Sequence, residues 1–230
     1  GGIAPTIEHA IKQSPYGKYK DDAGNYVSAP MEYDLWGNPM RKVNADQDRT
    51  NRNFFLNAYA DILLPVKGLS FRTNYGYNYR SGFTGTYYGR DTNTGKEING
   101  QVGGRAEISN SHNTDYTWEN MLRYEQEIGA HRFDATGLFS VYELEDKSSS
   151  MSGEGFVTDD TSYYMINTAE RKKEVGSGYA HEAMLSYMLR LNYAYKGKYL
   201  ATVTGRSDGA SMFGKNNKYA FFPSAALAWH

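Results

Sequence analysis

The 230 residues carry 25 basic against 26 acidic side chains and no cysteine. So even a charge balance supplies no field for a nucleic-acid partner, and the absence of thiols removes Cys nucleophiles, thiolate metal sites and disulfide frameworks. The weight of the composition lies instead in 21 Tyr, 10 Phe, 3 Trp and 24 Gly, residues that suit strands, turns and a boundary between apolar and wet surroundings. A Tyr-rich soluble β protein has the same composition. No run of about 18 apolar residues is present, so no transmembrane helix is expected. A mean hydropathy of −0.70 is still compatible with barrel strands, which show lipid only every second residue. Gly1 to Pro5 lack a basic region followed by an apolar one, so the expectation is a processed chain or an excerpt.

Residues 1–52 read as an irregular region with one short helix. The helix is expected over Ile7–Gln13, capped by Thr6, with Ile7, Ala10 and Ile11 on one face, and Ser14-Pro15 ends it. Asp21, Asp22 and Asn25 could bracket a calcium ion, but the spacing and the terminal Glu of an EF-hand are missing. An Asx turn is the expected reading.

From Asn53 the pattern changes to period two. Phe54, Leu56, Ala58, Ala60, Ile62 and Leu64 form one face of a first strand, and Pro65 to Gly68 turn the chain. Leu69, Phe71, Thr73, Tyr75, Tyr77 and Tyr79 form one face of a second. Each strand is about 11 residues long, the length that crosses a bilayer at a tilt. The hairpin repeats over Tyr116–Glu145, with Gly129-Ala130 as its turn, although Asn120 interrupts the apolar face. It repeats again from Leu185 through Lys196-Gly197 to Asp208, and a seventh strand runs from Tyr219 to Trp229.

The links 81–113 and 147–181 are expected to be loops of more than thirty residues, alternating with tight turns of two to four. Short turns at one rim and long loops at the other is the plan of an outer-membrane barrel, with the periplasm at the turn end. Aromatics gather at both ends of the strands, as interfacial girdles do: Tyr75, Tyr116, Trp118, Tyr219 and Phe221 at the loop end, Phe71, Phe133, Tyr193, Tyr195 and Tyr199 at the turn end. The fold class is therefore all-β, an antiparallel transmembrane β-barrel segment of about seven strands within residues 53–230.

Chemistry is sparse. The five histidines (His9, His112, His131, His181 and His230) are scattered with no helical metal spacing, and no nucleophile elbow, phosphate loop or dinucleotide fingerprint occurs. Asp61, Glu119, Arg123 and Glu125 fall on polar faces, where charges lining a wet lumen are expected. No catalytic residue, metal ligand or cofactor site is assigned. The candidate substrate-facing residues are aromatics in loops: Trp36, Tyr87, Tyr88, Tyr163 and Tyr164. Flat rings among Asn, Asp and Arg suit a sugar or a peptide, and rings packing one loop on another would look the same.

The stretch Lys198–Trp229 carries Arg206-x-Asp208-Gly209-x-Ser211-x-Phe213-Gly214 followed by Phe221-Phe222-Pro223-Ser224. It resembles a signature of SusC/RagA-type TonB-dependent outer-membrane transporters. Asn53-Phe54-Phe55 with Asn57-Ala58-Tyr59, then Gly68-Leu69-Ser70-Phe71, resembles the same barrel, and Glu8-His9-Ala10 to Pro15-Tyr16 looks like a helix in one of its extracellular loops. The resemblance implies a middle part of the barrel in a Gram-negative outer membrane, without the plug domain or the TonB box. It further implies import of oligosaccharides or peptides, energy from the TonB complex, a SusD-like surface lipoprotein as partner, and a wall set in outer-membrane lipid. It transfers no ligand-binding residue, since the loops that select substrate vary most. The readings that compete with it are a soluble β domain binding carbohydrate through loop aromatics, a porin or adhesin barrel, and, more remotely, a hydrolase.

Overall fold

Long runs of alternating residues with β-branched and aromatic side chains, punctuated by Gly-containing turns, give strands joined as consecutive hairpins. The structure, a computed structural model, describes residues 10–27, 29–31, 37–43, 45–92, 94–96, 101–214 and 218–230. A short helix α1 (Met40–Val43) precedes β1 (Asp46–Leu63), β2 (Leu69–Tyr88), β3 (Arg105–Ile128), β4 (His131–Glu154), β5 (Arg171–Tyr195), β6 (Tyr199–Ala210) and β7 (Tyr219–Trp229). A 3-10 segment, Ser162–Thr168, lies in the β4–β5 connection. The strands form one antiparallel seven-stranded sheet in the order β1 to β7, with β1 and β7 as its edges. Of the expected N-terminal helix, Ala10 and Ile11 are helical, and Thr6, Ile7, Glu8 and His9 lie outside the described residues.

Strand number, order and tight turns follow the sequence pattern, and strand length departs from it. β1 begins at Asp46, seven residues before the start of its alternation. β2 to β5 are 20, 24, 24 and 25 residues long. The links expected over 81–113 and 147–181 therefore shrink to residues 89–104 and 155–170. Stretches such as Glu145–Met151 are polar on both faces because water meets both. Their ladder is held by backbone bonds, and they carry no hydrophobic period by which to be recognised.

Residues 52–81, 112–147 and 179–230 form one compact unit, and residues 1–51, 82–111 and 148–178 form another. In the first, register fixes two faces. Leu189 pairs with Gly205 and Gly205 with Pro223; Leu191 pairs with Val203 and Val203 with Ala225; Tyr195 pairs with Tyr199 and Tyr199 with Trp229. These residues share the apolar face. The offset set, with Arg190 opposite Thr204 and Asn192 opposite Thr202, is polar. Two glycines of β6 make room for rings on the apolar face: a Cβ at Gly205 would lie 3.1 Å from the Phe221 ring, and one at Gly209 would lie 2.5 Å from that of Tyr219. The β5–β6 turn places both Lys196 (φ +53°) and Gly197 (φ +65°) in the left-handed region, the geometry of a type I′ hairpin turn whose twist matches the strands it joins.

Among the described residues Tyr87, Ala106, Phe156, Tyr163 and Ala169 are the buried apolar ones, and all belong to the second unit. In the first unit large apolar side chains lie on the surface: Leu189 is 55% exposed, Leu227 86% and Trp229 80%. Such rows cost too much in water to be tolerated at this scale, and they are what a strand turned toward lipid presents.

Candidate functional site

The polar face of the first unit is a chain of hydrogen bonds. Arg72 is 3.6 Å from Asp61. Asn78 (2.8 Å) and Arg80 (2.7 Å) both donate to Asp115. Arg123 donates to Asp134 at 2.8 Å, Asn192 donates to the other oxygen of Asp134 at 2.8 Å, and Thr202 donates to Asn192 at 2.9 Å. Asp61, Arg123 and Glu125 are thus tied into ion pairs with basic or acidic neighbours. That arrangement holds a polar wall. At the turn end the exposed His131 joins an aromatic cluster. Its Nδ1 is 2.7 Å from the Tyr193 hydroxyl, and its ring lies 4.9 Å from that of Tyr195, with Phe133 5.1 Å from Tyr193. At the other end of these strands Tyr75 stacks on Tyr116 at 6.2 Å.

The second unit is built around Tyr87 of β2 and Tyr163 of the β4–β5 connection. The Tyr163 ring lies flat on β2, where a Cβ at Gly85 would sit 2.5 Å from it, so glycine is the side chain that admits the ring. Its hydroxyl donates to Asp48 of β1, and the Tyr164 hydroxyl is 2.9 Å from it. Next to it, Ser162 donates to Asp46 at 2.5 Å. Hydrogen bonding to the Asp48 carboxylate and to Tyr164, with desolvation added, pushes the Tyr163 phenol well above its ordinary range. Tyr87 packs edge-on against Phe156 at 5.5 Å and donates to Asp159 at 2.7 Å. Burial first, and that bond second, raise its phenol as well. Arg41 closes the 89–92 turn by donating to the carbonyls of Asp91 (2.6 Å), Arg90 and Thr92 (3.3 Å each). Asn38, fully buried, donates to the carbonyls of Tyr19 (2.8 Å) and Val27 (2.9 Å).

The five loop aromatics therefore separate. Tyr87 and Tyr163 are 3% and 2% exposed and form part of the core of this unit. In sequence both read as loop-surface residues, because the glycines that receive them, Gly104 for Tyr87 and Gly85 for Tyr163, lie far from them in the chain. Tyr88 is half-buried, and Tyr164 is 72% exposed. Trp36 lies outside the described residues.

Sequence reasoning missed a cavity of about 350 Å³ in the same unit. Its walls come from β3 (Arg105, Glu107, Ser109), β4 (Ser150, Ser152) and β5 (Glu174, Gly176), with Thr84 of β2. Arg105 bonds Glu107 at 2.6 Å and Glu154 at 3.2 Å, and Lys172 reaches Glu154 at 3.0 Å. Burial opposes charge on Arg105, yet the Glu107 bond and both carboxylates hold its guanidinium more firmly protonated than usual. Tyr88 lies close enough for burial and the Glu107 charge to push its phenol up. A signal was available: Glu107, Ser109, Ser150, Ser152 and Glu174 recur at period two. With no apolar partner face, that period does not stand out from a polar loop.

Asp21 forms the expected Asx turn, accepting from Asn25 N at 2.8 Å and Ala23 N at 3.0 Å. Those backbone bonds, Asn25 foremost, lower its carboxyl below the ordinary range. Among the described residues no group of three or more His, Cys, Asp or Glu side chains is arranged to hold a metal ion.

No family model matches the sequence. TonB-dependent receptor P3 of Formosa agariphila is 33% identical over 231 residues, which cover 100% of this chain and 22% of that protein. The TonB-dependent receptor SusC of Bacteroides thetaiotaomicron is 26% identical over 207 residues, 84% of this chain and 18% of SusC. In fold, the chain matches the structure of the RagAB peptide transporter with a TM-score of 0.74 at 19% identity, over 90% of this chain and 23% of that one. The chain thus spans about a fifth of the length of the relatives it matches. With the seven-stranded transmembrane sheet, these likenesses place the chain in the TonB-dependent receptors of the SusC/RagA type, as a partial segment of their barrel.

Proposed function

We propose that the chain is part of the wall and the exterior connections of an outer-membrane importer of oligosaccharides or peptides in a Gram-negative bacterium. The observation that carries this reading is the register-matched apolar face of the first unit, with aromatics at both of its ends, in a chain similar along its whole length to a TonB-dependent receptor. The apolar face meets lipid and the polar face lines the substrate path. Residues 1–52 and the 89–104 and 155–170 connections face outward in this reading, and the aromatic side chains assigned to meeting substrate or a SusD-like lipoprotein are Tyr164, Tyr88 at the end of β2 and, from the sequence alone, Trp36. Energy comes from the TonB complex through a part of the receptor other than these residues. In this reading the role of the chain is passage and recognition, with Asp61, Glu125 and Asp134 engaged as ion pairs of the wall.

Fractionation of native cells with an antibody against residues 155–170 tests the location, and uptake by cells with and without the receptor gene tests the activity. Signal in the outer membrane and loss of oligosaccharide or peptide uptake on deletion are expected. A soluble signal, or uptake unchanged for both ligand classes, contradicts the reading.

A further inference from the structure

We propose that the cavity walled by β3, β4 and β5 is a subsite for an uncharged sugar unit, and that its carboxylates turn anionic glycans away. The proposal rests on the import reading and names the ligand chemistry of one place within it.

Arg105 is held by Glu107 and Glu154 on two sides, and Lys172 is engaged by the same Glu154. Glu174 on the wall adds a third carboxylate, for which no ion pair occurs among the described residues. Two cations thus meet three carboxylates. A ligand carboxylate or sulfate entering here finds no uncommitted cation among these groups and an excess of negative charge, which disfavours it.

Hydroxyls supply the remaining polar lining. Thr84, Ser109, Ser150 and Ser152 each donate one hydrogen bond and accept two, matching the mixed demand of sugar hydroxyls. The Glu107–Arg105 pair beside them offers acceptor and donor edges side by side, which suits adjacent hydroxyls on a ring. Gly176 keeps the floor open: a Cβ there would come within 2.8 Å of the Ser150 hydroxyl oxygen.

An extended peptide fits this place less well. β3, β4 and β5 are interior strands of the sheet, so their backbone donors and acceptors are used in the ladder. A peptide could not add as a strand, which is the usual way a sheet reads peptide backbone. Recognition must come from side chains on the face, and these are hydroxyls and balanced charges.

The full-length receptor, purified in detergent, is titrated with three probes: uncharged oligosaccharides, oligosaccharides of the same length bearing uronate or sulfate groups, and a mixed peptide pool. Wild type is expected to retain the uncharged set and not the anionic one. The double variant Glu107→Gln/Glu174→Gln, which removes two negative charges and frees one side of Arg105, is expected to gain about tenfold in affinity for anionic oligosaccharides. Gly176→Leu, which fills the floor, is expected to lose the uncharged set. Equal retention of charged and uncharged sugars by wild type, or no gain in the double variant, overturns the subsite. Retention of peptides alone also overturns it while leaving import intact. Unchanged uptake of both ligand classes after deletion of the gene overturns the import reading itself.

Discussion

The two units of this chain are stabilised by opposite rules. In one, large apolar side chains such as Leu189, Leu227 and Trp229 stand on the surface and the polar residues hydrogen-bond to one another on the other face. In the other, Tyr163 and Phe156 are buried with Tyr87, Ala106 and Ala169 as a small apolar core. The first pattern would be a liability in water and the second would be out of place in hydrocarbon. The contrast shows that continuous strands can be written for two solvents in succession: where the alternation of apolar and polar rows stops, the strand continues, because its ladder bonds do not depend on which solvent its faces meet.

The sharpest way to break this comparison is to put a charge on the apolar face. Leu189→Arg in the full-length receptor is expected to destabilise the fold by about 2–4 kcal/mol in unfolding from lipid vesicles. The neighbouring native Arg190, bonded to Thr204 at 3.3 Å, serves as the internal control. Equal tolerance of both would mean that the row does not face lipid. Next in size is Gly85→Val, which drives a side chain into the Tyr163 ring and is expected to cost about 1–3 kcal/mol through overpacking. Its effect should read out as faster proteolysis within residues 155–170, with the strands of the other unit unaffected.

Tyr163→Phe removes the hydroxyl that joins Asp48 and Tyr164 and is expected to cost about 1 kcal/mol. Hydrogen exchange localised to Ser162–Thr168 would report it, and unchanged exchange would show that ring packing on Gly85 suffices to hold the segment. The smallest effect concerns pH. The folded-state carboxyl of Asp21 is depressed by Asn25 and Ala23 N–H groups, so its contribution to the turn is present above the unfolded carboxylate range. It is lost as pH falls through the lower folded value. The Asn25 amide should therefore exchange faster, relative to its intrinsic rate, in that acid window. Constant protection across the window would contradict the assignment.

What could be read from the sequence follows the same division. The apolar rows of Leu185–Tyr195 and Tyr219–Trp229, the Gly129-Ala130 and Lys196-Gly197 turns and the number of strands all have period-two or turn signals, and these elements lie where lipid on one side and water on the other force alternation. Ends of strands such as Arg105–Ser111 and Ser148–Glu154 are mostly small or polar and carry no hydrophobic period, so they read as loop even where Ala106 and Gly153 turn inward to the core. The roles of Tyr87 and Tyr163 were hidden for a different reason: aromatic residues in connections look the same whether they face substrate or fill a core, and only the distant Gly85, Gly104 and Asp48 decide between the two. The cavity beside Arg105 shares that difficulty, since its walls come from strands whose paired segments are more than twenty residues apart in sequence.

The central claim is that one face of these strands meets lipid and the other a wet lumen. The chain has no cysteine, so single cysteines introduced one at a time from Leu185 to Tyr195 each give a unique spin label within it. Accessibility of those labels to oxygen, against a water-soluble nickel chelate, is the most direct test. The account predicts strict alternation, with labels at 185, 187, 189, 191 and 193 accessible to oxygen from the lipid and those at 186, 188, 190, 192 and 194 accessible to the chelate. Equal chelate access at both sets, or no alternation at all, would contradict it.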